Sequence, residues 1–182
     1  LFLNDRLLLA VILLNALVYV AGWVPAERQV DGSTRQVSNH DIWLVEYGAI
    51  PCELLGRCGN QRAIVEVDGG PADPRPRSVS AQVDAHPPAL TLLSSLFLHV
   101  GLVHLAWNML FLWVFGGSLE RAMRPLGFLG FYLLAGMGAG VVQALAIPSE
   151  TAPTVGASGA VAAVLGAYVV LYPRVLVLTI IF

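Results

Sequence analysis

Lysine is absent from this 182-residue chain and charge of either sign is scarce, with ten Arg and twelve Asp or Glu making up 12% against 57% hydrophobic residues. Soluble domains carry about 25% charged and 45 to 50% apolar residues. A mean hydropathy of +0.72 therefore argues for a membrane protein. Exclusive use of Arg fits a GC-rich genome and decides nothing about mechanism. A net charge of -2 without a basic cluster removes nucleic acid from the expected partners. Cysteine is limited to Cys52 and Cys58, and one C-x5-C with no histidine nearby is a poor metal pattern. No metal or other cofactor is expected. In an oxidising compartment the pair can close a local disulfide; two unpaired loop thiols fit the sequence equally well. Finally, no histidine follows Ser158.

The uncharged stretches divide the chain. Residues 7–24 contain only Asn15 as a strongly polar side chain, which suits a spanning helix of about 20 residues. Arg6 before an apolar run also fits a signal peptide, but the run is long for one and no small-x-small cleavage site follows. A retained first transmembrane helix over residues 1–24 is expected. Residues 25–90 change character, with six Arg, nine acidic residues and much Pro and Gly. They are expected to form an aqueous external loop, holding a short amphipathic surface helix over residues 42–50 and 53–55 and a flexible linker over 67–85. Residues 89–119 lack Asp, Glu, Lys and Arg and are expected to hold a second spanning helix that stops at Glu120 and Arg121. Residues 126–147 make a third and 155–172 a fourth, ending at Pro173-Arg174.

The expected fold is thus an all-α membrane protein, a polytopic helical bundle with four transmembrane helices. Residues 91–174 hold its second to fourth helices, and 175–182 a truncated connection towards a fifth. The chain starts without Met and ends on apolar residues, so it reads as a fragment. If the helices alternate in direction, Arg6, Arg121, Arg124 and Arg174 share one side, which the positive-inside rule makes cytoplasmic. The N-terminus is then cytoplasmic and the 25–90 loop external, in what reads as a prokaryotic plasma membrane.

Polar side chains inside apolar helices are functional candidates by default, because they are costly in a bilayer. Two groups stand out: His99-x4-His104-x3-Asn108 in the second span, and Gly156-Ala157-Ser158-Gly159 at the head of the fourth. His104 lies 16 residues before Glu120 (120 − 104) and Ser158 lies 16 before Arg174 (174 − 158). At about 1.5 Å per residue both stand roughly 24 Å above the cytoplasmic boundary, a few ångströms below the external face. His104 and Asn108, at i and i+4, can point at one site. His99 is about 140° round a regular helix from His104, so it is expected to brace the external loop from the helix mouth. Ser158, between Gly156 and Gly159, has little bulk around its hydroxyl and backbone N-H groups not yet claimed by the helix. Acyl transfer needs a nucleophile and oxyanion donors so placed. Packing is the competing reading: Gly159, Ala163 and Ala167, and likewise Gly136, Gly140 and Ala144, form small-residue stripes that bring membrane helices together. Gln143 and Asn15 are expected to make interhelical hydrogen bonds.

The order of a long external loop, the His99/His104/Asn108 motif running through residues 110–120 (LFLWVFGGSLE), and Gly156-Ala-Ser-Gly159 opening a helix resembles the rhomboid intramembrane serine proteases. The likeness covers residues 94–174. It implies a fold with six core helices, four of them present here. It also implies Ser158 as nucleophile, His104 and Asn108 as oxyanion-hole donors, and Gly156, Gly159 and His99 in support. The substrates would be transmembrane proteins, met within the lipid bilayer; nothing in the sequence sets an oligomeric state. The family takes its general base from a histidine on the sixth helix, and nothing in the spacing aims His40 or His86 at Ser158. By itself the fragment is therefore expected to be inactive. A non-catalytic rhomboid-like protein that binds membrane clients is the alternative. A small transporter or channel fragment is disfavoured, because no span carries a charged side chain.

Overall fold

The computed structural model describes residues 6–23, 25–30, 33–58, 64–67, 77–80 and 86–175. Helix α1 (Arg6–Gly22) opens the chain, and strands β1 (Pro25–Val30) and β2 (Ser33–Ser38) pair antiparallel with Val30 opposite Ser33. The intervening Asp31-Gly32 is a dipeptide suited to a two-residue hairpin connection. Helices α2 (Asn39–Tyr47) and α3 (Pro51–Leu54) follow. A second antiparallel hairpin joins β3 (Ile64–Val67) to β4 (Arg77–Ser80). Short helix α4 (Pro88–Ser94) runs into a 3-10 turn at Ser95–Phe97. Three longer helices complete the chain: α5 (Leu102–Met123), α6 (Pro125–Ala146) and α7 (Ser158–Leu171).

The bundle itself is helical, and the strands are confined to the segment between α1 and α4. The helical bundle is as expected, and among the described residues two short hairpins stand outside it. Residues 68–76 and 81–85 of the expected linker, and 176–182 of the expected connection, lie outside the described residues, as do 1–5 and 24 at the ends of the expected first span. Among the described residues two helices, α5 and α6, are long and apolar enough to cross a membrane, while α1 and α7 are shorter apolar helices.

The second spanning helix expected within residues 89–119 is α5, which begins only at Leu102 and runs on to Met123. Residues 89–119 are broken between Phe97 and Leu102, where Leu98 is extended (φ -90°, ψ 142°) and Gly101 is extended too (φ -169°). Hydropathy cannot register that break, because its residues are as apolar as the helices on either side.

One core knits the bundle together. Leu8 and Val11 of α1, Leu112 and Leu119 of α5, Phe128 and Tyr132 of α6, and Ala160 and Val164 of α7 are all buried in it. Without a strong hydrophobic drive between helices in lipid, close approach of small residues does the packing. A Cβ on Gly116 would come within 2.8 Å of Leu8 Cδ1, and one on Gly159 within 2.5 Å of Ala139 Cβ. Gly159 is therefore where α7 approaches α6.

Glu120 takes a part that its sequence position does not reveal. Only 2% exposed, its carboxyl oxygens accept hydrogen bonds from the backbone N-H groups of Leu7 (3.1 Å) and Leu8 (3.0 Å). Those are first-turn donors of α1 with no partner inside their own helix, and an acidic group there also complements the helix dipole. Rather than a charged stop alone, Glu120 ties α1 to α5. Glu120→Ala is expected to lower stability by roughly 2 to 4 kcal/mol, since two charge-assisted bonds go and two donors are left bare. A thermal melt of the detergent-solubilised protein showing no downward shift would refute this role.

Asn15 is buried and donates back to Val11 of its own helix (2.8 Å). That local bond is a common one for Asn within a helix, and the same side chain also faces the Tyr132 hydroxyl of α6 across the helix interface.

Candidate active site

Three segments converge at the mouths of α5 and α7. His104 sits in the first turn of α5 and Asn108 one turn further on. Asn108 is buried and donates one amide N-H to the carbonyl of His104 (2.9 Å). A carboxamide has two N-H donors, so one remains.

The His104 ring lies against Gly156. A Cβ built on Gly156 would stand 2.6 Å from His104 Cε1 and 3.1 Å from Nε2, and φ of Gly156 is +117°. Glycine is needed there twice over, for its conformation and for the space the imidazole fills. Gly156 is fixed from the opposite side, its N-H donating to the carbonyl of Ser95 (2.8 Å). Two residues later Ser158 opens α7, with buried Ala157 preceding it.

Ser158 faces a cleft of about 250 Å³ lined by Ser95, Gly136, Gln143, Thr154 and Gly159, among others. Gln143, expected in an interhelical hydrogen bond, stands on the wall of this cleft beside the serine. Sequence reasoning did not associate it with the site, because its contribution depends on how the residues between α6 and α7 fold back.

His99 departs from the helical geometry assumed for it. It precedes α5 rather than belonging to it, and its buried ring meets the edge of His104 at 5.3 Å between centroids. Its carbonyl accepts a hydrogen bond from His40 Nε2 (2.7 Å). His40 in turn stacks on Trp23 (5.2 Å) and packs edge-on to Tyr19 (5.4 Å). Burial first, and the adjacent His104 ring second, push the His99 pKa down to about 4, against a smaller raising influence from the Phe97 backbone. His99 is consequently neutral at physiological pH, a packing support for the His104 ring. His40 is the residue sequence reasoning missed here, since its partner lies 59 positions away.

Cys52 and Cys58 are joined in a disulfide. Their segment lies against the loop entering α7, where Ala49 and Thr154 exchange backbone hydrogen bonds (3.1 and 2.8 Å) and Cys52 N-H donates to Glu150 (3.1 Å).

The family model described as Rhomboid domain matches residues 87–182, so the chain belongs to the rhomboid family. Members of this family are integral membrane proteins. Among curated relatives, the chain is 41% identical over 85 residues to Rhomboid protease GluP of Bacillus subtilis (strain 168), covering 46% of this chain and 16% of that protein. It is 34% identical over 98 residues to Rhomboid protein 1, mitochondrial, of Saccharomyces cerevisiae, covering 51% and 28%. With RHOMBOID-like protein 5 of Arabidopsis thaliana it shares 30% over 118 residues, covering 63% and 38%. The chain thus spans well under half the length of each. No solved structure matches. Because a mitochondrial protein stands beside a bacterial one among these relatives, the likeness does not favour the prokaryotic plasma membrane expected from the sequence.

Proposed function

We propose that this chain carries the nucleophile and oxyanion site of an intramembrane serine endopeptidase that cleaves membrane-spanning substrates near the external face of the bilayer. The observation that carries the reading is the close approach of His104 to Gly156, which brings the mouth of α5 to the residues that open α7 at Ser158. In this reading α1, α5, α6 and α7 all span the membrane with alternating direction. Arg6, Arg121, Arg124 and Arg174 then mark the cytoplasmic side.

Ser158 Oγ attacks the scissile carbonyl, a general base accepts its proton, and the amine leaves as the acyl-serine forms; water then hydrolyses that ester. The tetrahedral oxyanion of each half-reaction takes hydrogen bonds from the Ser158 backbone N-H, the remaining Asn108 N-H and the His104 ring. A serine without a base is a weak nucleophile. His40 is committed to the His99 carbonyl, and no histidine follows Ser158 within these 182 residues. By the family resemblance the base would be a histidine on a sixth core helix.

The second reading is a rhomboid-like protein that binds membrane clients without cutting them. Labelling of the full-length protein with a fluorophosphonate separates the two. Labelling that disappears in Ser158→Ala is expected; an unlabelled wild-type protein would leave client binding as the function.

A further inference from the structure

We infer that the Cys52–Cys58 disulfide is a positioning element for Ser158, acting through the loop that leads into α7. The inference rests on the protease reading above. Its basis is a run of contacts between two segments far apart in sequence. Cys52 N-H donates to the carbonyl of Glu150, and Ala49 and Thr154 exchange two backbone hydrogen bonds. A Cβ on Gly48 would meet Pro153 Cβ at 2.7 Å and Val155 Cγ1 at 3.0 Å. Residues 48–52 thus lie flush along 150–155, and Gly156 and Ser158 come immediately afterwards.

The strut leads into a single helical turn that the disulfide closes. Helix α3 is one turn of four residues, too short to persist by its own hydrogen bonds. Around it, Arg57 N-H returns to the carbonyl of Cys52 (2.7 Å), and buried Cys52 with partly buried Cys58 packs on Val45 and Ile50. The disulfide closes that return. On the other side of the 150–156 loop the constraint is the bond from Gly156 N-H to Ser95, so the loop is held between the strut and the 3-10 turn. Ser94 ties the two supports together, its hydroxyl lying 2.7 Å from the carbonyl of Tyr47, one residue before the strut. Opening the disulfide frees one of the two walls that set the path of Gly156 and therefore the placement of the Ser158 hydroxyl. Misplacing a reacting group by about 1 Å can cost a hundredfold in rate.

The test compares oxidised full-length protein with the same protein after dithiothreitol. That reductant passes two electrons to the disulfide, leaving two thiols, while it becomes its own cyclic disulfide. The thiols are then alkylated. Cleavage of a transmembrane substrate is expected to lose tenfold or more in kcat with KM within twofold. Amide exchange at Thr154 should rise at least tenfold. Removing the dithiothreitol before alkylation and reoxidising the protein should restore both. The Cys52→Ser/Cys58→Ser variant should match the reduced protein and ignore dithiothreitol. Unchanged exchange at Thr154 would overturn the strut, and faster exchange with unchanged kcat would overturn its link to Ser158. If even the oxidised protein takes no fluorophosphonate at Ser158, the protease reading fails instead, and exchange at Thr154 still decides the strut.

Discussion

Gly156→Ala is expected to abolish cleavage by the full-length protein as completely as Ser158→Ala does, a loss of at least about a thousandfold on the scale of active-site disruptions. Two independent costs meet at this residue. A φ of +117° is strained for any residue with a Cβ, and the added methyl would lie 2.6 Å from His104 Cε1. Neither cost can be escaped locally. The N-H of Gly156 is held by Ser95, Thr154 is paired to Ala49, and Ala157 is fully buried. Relief has to come from rotating or withdrawing the His104 ring, which dismantles the proposed oxyanion site itself. Gly138→Ala provides the contrast: in α6 a Cβ at that position meets nothing within 4 Å, and activity should remain near wild type. Measured with a transmembrane substrate and a parallel thermal melt, an active Gly156→Ala protein would remove the His104 contact from the mechanism.

What the sequence made legible follows from how local each feature is. The i, i+4 relation of His104 and Asn108 depends on helix geometry alone, and the structure has both on α5. Long apolar runs without charge likewise coincide with α6 and α7. The break before α5 was hidden, because apolarity cannot distinguish a helix from an extended stretch buried among helices. Pro87-Pro88, Ser94-Ser95 and Gly101 were the available signals. His99 sits at the mouth of α5, as expected, and because it lies outside the helix the 140° separation does not apply and its ring also reaches His104. The first hairpin had a signal in Asp31-Gly32, overlooked because the surrounding residues are polar. Contacts of long range had no local trace at all. Nothing near Glu120 points to Leu8, 112 positions earlier, and nothing near Cys52 points to Glu150.

Asn108→Ala is expected to lower kcat by about a hundred- to a thousandfold with little change in KM, and His104→Ala by about ten- to a thousandfold, the range for loss of one oxyanion donor. The split between kcat and KM is the informative part. An amide that binds only the developing oxyanion contributes to the transition state and not to the bound substrate. Asn108 meets the requirement on the free-enzyme side, with one N-H fixed to the His104 carbonyl and the other unspent. His104 is different in kind, since its ring also fills the space beneath Gly156 and rests on His99. Its removal should therefore cost stability as well as rate, whereas Asn108→Ala should melt close to wild type. The double variant should lose less than the product of the single losses, because both side chains act on one oxygen. Strict multiplication of the two effects would mean separate roles, and near wild-type cleavage by either variant would remove that residue from the oxyanion site.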